Sequence, residues 1–460
     1  MKKVIMVTFF GFLSSHLFSQ HEHHAMADTM PKKKDTMQMK PVAKKMTTMD
    51  TMAHSMHMMH TMPSHAYSRN LPMSRNGSGT GWNPDASPMY MWMKSTRKTD
   101  WMFHGSFFLR YTSQDIFSAG SRGDDEFSAP NWFMVMMNRK IGEKGLLNTT
   151  AMISLDRLTE GGNGYPLLFQ SGETFEGKKL VDRQHPHDLF SALSMAYTHM
   201  LSKDADVFAY LGYPGEPALG PTAFMHRVSA MNNPDAPLGH HWQDATHITF
   251  GVGTLGFRYK SLKAEGSIFT GREPDENRYN FDKARFDSYS YRLSFNPTEN
   301  WALQFSQGFI NSPEALEPNE DVTRTTASVF YAKKMANNNT HLSGAAIWGL
   351  NNKDADHKEN SFLLEGNYQC SKNAFYGRYE YTQKSKEELD LDSGYPETNF
   401  NIHALTAGYN RQLVNFSNID LVAGTQVTFY GVDKDLQALY GKNPVGFEIY
   451  LQLRPSLHKH

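Results

Sequence analysis

The chain has 460 residues, 46 Lys and Arg against 47 Asp and Glu, a formal net charge of -1 and 13% aromatic residues. So even a balance argues against a nucleic-acid partner, whose binding surfaces are strongly basic. A single cysteine, Cys370, excludes an intramolecular disulfide framework.

At the N-terminus Lys2 and Lys3 precede an apolar run over residues 4–13 and a small, polar stretch ending at Gln20. About 10 apolar residues are too few to span a bilayer and match the core of an export signal. Residues 1–20 are therefore expected to be a signal peptide, with the mature chain beginning near His21. No cysteine stands near that point to accept a lipid anchor.

Residues 21–73 hold 12 methionines and 7 histidines among Lys, Thr, Asp and Ser. Such a stretch has no core to bury, and methionine is not a residue that ordinary disordered segments enrich. Thioether sulfur favours Cu(I), whereas imidazole suits Cu(II), Zn and Ni. The expected copper ligands are His21, His23, His24, Met46, Met49, Met52, His54, Met56, His57, Met58, Met59, His60, Met62 and His65. Residues 21–76 are read as a disordered tail that wraps ions with a few of these donors at a time. A low-complexity spacer is the competing reading.

Residues 77–100 follow as a linker, flexible by composition in Asn76-Gly-Ser-Gly-Thr-Gly-Trp82. Met89-Tyr-Met-Trp-Met93 within it is placed at the mouth of the next domain.

From Trp101 onward the dominant pattern is alternation with period two. Tyr289, Tyr291, Leu293 and Phe295 alternate with Ser288, Ser290, Arg292 and Ser294. Phe447, Ile449 and Leu451 alternate with Glu448, Tyr450 and Gln452, and further segments around Phe362 and Phe375 do the same. About sixteen such strands are expected, of roughly 9 to 14 residues each. Short connections, as at 142–144, 202–204 and 371–373, alternate with long ones at 112–129, 157–186, 213–244, 272–286, 311–321, 351–359, 384–399 and 432–443. The fold class is all-β: a transmembrane antiparallel outer-membrane barrel over residues 101–456, with an aromatic, apolar face toward lipid and a polar lumen. A barrel of that size encloses an aqueous lumen. With both ends of the strand region on the short-turn side, the tail is placed in the periplasm.

Two long connections carry a second group of histidines. Asp182-Arg-Gln-His185-Pro-His187-Asp188 closes one, and His240, His241 and His247 lie at the end of the next. The alternation puts Leu189, Leu193, Met195 and Tyr197 on the lipid side, together with Ile248, Phe250 and Val252, and so turns Asp188 and His247 inward. His185, His187, Asp188, His240, His241 and His247 are a candidate second metal site. The alternative is a polar network that anchors the loops to the wall. No metalloprotease pattern, nucleotide-binding glycine loop or nucleophile elbow is present, so neither an enzyme nor an organic cofactor is expected.

An exported barrel preceded by Met-Asp-Thr-Met-Ala-His-Ser-Met-His-Met-Met-His at residues 49–60 resembles the outer-membrane component of bacterial copper-resistance systems. The resemblance implies binding of Cu(I) and Cu(II) and a contribution to metal tolerance or efflux. The implied partners are outer-membrane lipid, metal ions and periplasmic metal-handling proteins. A porin-like channel for small solutes with an incidental tail is the alternative function.

Overall fold

The structure is a computed structural model that describes residues 63–335, 339–353 and 357–458. Of the two compact units into which the chain divides, residues 1–60 and 61–460, the second contains all of these. Sixteen antiparallel strands, from Thr99–Ser113 to Val445–Pro455, close into a barrel. The seam pairs the last with the first, Phe447 opposite Ser113 and Leu453 opposite Phe107. Two short strands, Trp92–Ser95 and Asp125–Ser128, flank Thr99–Ser113 on its two sides.

The wall follows the expected alternation. Tyr289 is 61% exposed and Leu293 53%, whereas Arg292 between them is 1% exposed. Ile449, Leu451, Phe362 and Leu364 face outward, while Glu448, Gln452, Glu365 and Asn367 face the lumen. Apolar side chains clad the outside because lipid solvates no charge, which is the signature of an outer-membrane barrel. Short turns and long loops alternate near the expected places. The last short turn falls at Ser417 and Asn418, after the long strand Phe400–Phe416.

One stretch departs from the expected register. Leu193, Met195 and Tyr197 lie on the outer face, but Ile248, Phe250 and Val252 are buried. The strand begins only at Val252, with Leu255 and Phe257 as the outward residues. Gly251, at φ +103, breaks the extended chain just before it, and Gly215 bridges Thr249. Residues 213–251 are therefore one long inward excursion, and His247 sits in a 3-10 turn, Ala245–His247, within it.

Three segments occupy the lumen. Residues 63–91 run along the inner wall at the short-turn half. The side chain of Asn138 donates to the Ser64 carbonyl at 2.9 Å, Arg292 to the Thr80 hydroxyl at 2.7 Å, and Asn296 to the Asn83 carbonyl at 2.9 Å. The part read as a flexible linker is thus packed. A Cβ on Gly77 would lie 2.2 Å from the Thr222 hydroxyl oxygen, so this glycine serves close approach rather than flexibility.

Residues 213–251 cross the lumen. The Ser306 hydroxyl accepts from the Gly220 amide on one side, and on others Arg227 pairs with Glu365 at 2.8 Å and Asp235 with Arg110 at 2.6 Å. The third segment is the hairpin of Tyr165–Phe175 and Lys178–Gln184.

Candidate metal centre

The hairpin ends at Gln184, which delivers His185 and His187 to the lumen as residues 185–189 return to the wall. The crossing loop supplies the other histidines from a single helical turn, His240–Gln243, and from Ala245–His247. That helical turn is fixed by its neighbours. The Trp242 indole donates to Glu359 at 3.2 Å, Gln243 donates to Ser361 at 3.0 Å, and Asn351 donates to the His241 carbonyl at 3.1 Å. At Gly349 a Cβ would come within 2.3 Å of the Trp242 carbonyl oxygen, so the wall itself makes room for the turn.

Five imidazoles converge there. Ring centroids lie 5.5 Å apart for His185 and His241, 5.2 Å for His240 and His241, 5.0 Å for His240 and His247, and 5.5 Å for His187 and His247. One nitrogen from each of His185, His240 and His241 lies within 4.8 Å of the others. Two imidazole nitrogens bound to one ion at about 2.0 to 2.1 Å are at most about 4.2 Å apart, so a small inward movement lets the three share an ion.

Each ring is held by its Nδ1. His187 meets Asp156 at 2.6 Å, His240 meets Asp244 at 2.6 Å, and His247 meets the Asp244 carbonyl at 2.9 Å. His185 meets the Pro186 carbonyl at 3.4 Å with Glu173 3.2 Å away, and His241 lies 3.3 Å from Glu273. Carboxylate and carbonyl oxygens accept, so Nδ1 carries the proton and Nε2 the lone pair. The Nε2 atoms of His185, His187, His241 and His247 are buried with no hydrogen-bond partner among the described residues. A buried polar atom left unpaired costs about 1 to 3 kcal/mol, and four of them share one chamber. A carboxylate or carbonyl behind each imidazole is how metal-binding histidines are oriented and made more basic.

Protonation favours ligation at most of these rings. Burial, with Arg278 nearby, holds His185 well below the usual histidine range. Burial also holds His247 well below it, helped by His240 and His187, and lowers His240 despite Asp244. His241 differs: burial would lower it, but Glu273 beside it outweighs burial and raises it. Asp244 resists the pull of burial toward the neutral acid because His240 and Arg227 adjoin it, and it stays ionised.

Asp188 does not join the group expected to contain it. It lies 3.3 Å from Arg278 of the long loop at 272–286, which also binds Glu173. The residues that sequence reasoning missed are holders of the rings, Asp156, Glu173 and Glu273. They are scattered over three segments, and no spacing announces them. Gly172 (φ +114) was missed too: a Cβ there would lie 2.3 Å from the His241 ring.

Of the tail donors, His21, His23, His24, Met46, Met49, Met52, His54, Met56, His57, Met58, Met59, His60 and Met62 lie outside the described residues. His65 is the exception, and it stands in the packed lumenal segment. It is buried in the lumen, where its Nδ1 accepts from the Tyr67 amide at 3.0 Å and its ring packs edge-on to Trp82. Met73 is buried in the same segment.

No protein-family model and no curated protein matches the chain. Among solved structures it is similar to the anion-selective porin of Comamonas acidovorans, at 10% identity and a TM-score of 0.48 over 78% of this chain and 100% of that one. OmpF of Salmonella typhi in complex with daunomycin gives 9% identity and 0.47 over 78% and 100%. The outer-membrane channel DcaP of Acinetobacter baumannii gives 11% identity and 0.42 over 78% and 99%.

Proposed function

We propose that this outer-membrane barrel binds a divalent transition-metal ion at the lumenal histidine centre and contributes to metal tolerance or efflux. The observation that carries this reading is the set of four buried, unpaired Nε2 atoms on rings whose Nδ1 atoms are all engaged. Neutral imidazole donors suit Zn(II), Cu(II) and Ni(II). The Met/His-rich tract at residues 21–62 is a copper collector in the same proposal, as its resemblance to copper-resistance barrels implies. Its periplasmic placement is supported by the lumenal segment that follows it, since Arg69 of that segment reaches the Gly142 carbonyl in a short turn at 3.1 Å, and short turns of such barrels face the periplasm.

A second reading, a general channel for small solutes with an incidental tail, is the one the fold by itself favours. A closed wall of sixteen strands is wide enough to pass solutes. The two are separated by purifying the full-length protein, loading it with Zn(II), and repeating this with His185→Ala/His240→Ala. The metal reading expects the variant to lose one tightly held equivalent while tail-bound ions remain. Equal metal content in both, together with conductance for uncharged solutes in planar bilayers, would leave only the channel.

A further inference from the structure

Wall residues that face a barrel lumen are ordinarily polar. On two adjacent strands of this barrel part of that face is not, although Asp100, Ser106 and Asn138 around it are. Thr99–Ser113 turns Met102 and His104 inward, and its partner Asn131–Ile141 turns Met134 and Met136 inward, with Met102 paired directly opposite Met136 and His104 opposite Met134. Opposite this patch the lumenal segment presents Met73, Met89 and Met91, and the crossing loop adds Met225 and Met231. All of them line one cavity of about 180 Å³.

Methionine is also the common filler of irregular cores, and that reading accounts for the burial of Met73, Met91 and Met102. It does not account for the imidazoles in the same cavity. His104 and His226 both line it, each half-buried, and neither ring hydrogen-bonds to any described residue. His226 instead packs against Trp132 with the rings tilted by 60° and their centroids 4.8 Å apart. An apolar core gains nothing from two imidazoles that face it without a polar partner, whereas a soft ion in the cavity would use them. Thioether sulfur and imidazole together form a soft donor set, suited to a monovalent d10 ion. His187 borders this cavity as well as belonging to the histidine centre, so the soft chamber and the imidazole chamber adjoin.

We propose that the methionine-lined chamber is a second, soft metal site that takes Cu(I), or Ag(I) as its chemical analogue, on thioether sulfur from the wall and from the two inserted segments, with His104 and His226 as supplementary ligands. Copper is named as its natural ion on the strength of the metal-handling reading above; the donor chemistry itself needs no such support.

The test uses the full-length protein in detergent, loaded anaerobically with Cu(I) and challenged with a soluble Cu(I) chelator, with Zn(II) retention measured in parallel. Met102→Leu/Met136→Leu keeps the apolar volume and removes two wall sulfurs. Met225→Leu changes only the loop and guards against a wall variant that fails to fold. The proposal expects each variant to lose one chelator-resistant Cu(I) equivalent, or to hold it at least tenfold more weakly, with Zn(II) retention unchanged. Cu(I) retention equal to the parent in both variants would overturn it. A failure of the histidine centre looks different: Zn(II) would then be indifferent to His185→Ala/His240→Ala, whatever the methionine variants do to Cu(I).

Discussion

In the wall of the barrel, one rule repeated at every second residue sorts the side chains, whereas the segments inside the lumen hold together through pairs of unlike groups drawn from distant parts of the chain. Tyr289, Leu293 and Leu364 need only be apolar, because lipid is a uniform solvent. Arg227 has to meet Asp244 and Glu365 at once, both at 2.8 Å, with all three almost wholly buried. A wall position therefore depends on a transfer free energy, and a lumenal position depends on named partners. This contrast places the specific chemistry inside the barrel, and it sets how each region should respond to substitution.

The largest effect is expected at Arg227. Arg227→Ala strips buried Asp244 of its guanidinium and leaves Glu365 with Arg378 alone, and breaking such a buried pair costs about 3 to 5 kcal/mol. The crossing loop should come loose from the wall, which protease protection of residues 213–251 in the folded barrel would report, and divalent metal binding should fall with it. Protection unchanged in the variant would mean that the loop is held by its other contacts.

Next comes the wall itself. Leu451→Arg puts a charge on the outer face and should cost about 2 to 4 kcal/mol near mid-membrane. Gln452→Ser, one residue on, should be mild, because the Gln452 amide makes only hydrogen bonds to Ser106 and the Met231 carbonyl. Refolding into lipid vesicles along a urea series measures both, and equal costs would break the distinction between the two faces.

How much of this was legible follows from the same contrast. Wall strands and long loops could be read because alternation is local: Ser288–Thr298 states its two faces within a few residues. The lumenal course of residues 63–91 could not. Gly77, Gly79 and Gly81 suit a flexible linker and a tightly threaded chain equally, and only the approach of Thr222 and Glu216 to these glycines decides between them. Alternation also failed at Ile248 and Phe250, where Gly251 interrupts the chain before the strand begins. The convergence of the histidines was foreseeable from their position on two consecutive loops. Asp244, four residues from His240, was legible with them; Asp156, Glu173 and Glu273 were not, nor was the capture of Asp188 by Arg278. The soft chamber left one readable trace: Met134 and Met136 stand at alternate positions on the lumenal face of a strand, where polar residues are the rule.

Smaller effects sharpen the account of the centre. Gly172→Ala forces a Cβ toward the His241 ring and disfavours the backbone at φ +114. Zn(II) affinity should drop about tenfold, while resistance of the barrel to urea hardly changes; an unaltered affinity would mean that His241 is not a ligand. Acidification gives the gentlest probe. An imidazole ligates when neutral, and burial keeps His185 and His247 well below the usual histidine range. Because His185 and His247 are displaced downward while Glu273 displaces His241 upward, Zn(II) should first weaken as His241 protonates and be released fully only well below about pH 6.5, the ordinary histidine midpoint. Thioether-bound Cu(I) should persist further still, since methionine does not titrate. Loss of all ions together at about pH 6.5, the ordinary histidine midpoint, would show that solvent-exposed histidines hold them.

The most direct measurement is anomalous X-ray scattering at the zinc edge from crystals of the full-length protein grown with Zn(II). The account predicts a peak among the Nε2 atoms of His185, His240 and His241, with His187 and His247 alongside. Anomalous density confined to the outside of the barrel, with these five rings unchanged, would contradict it.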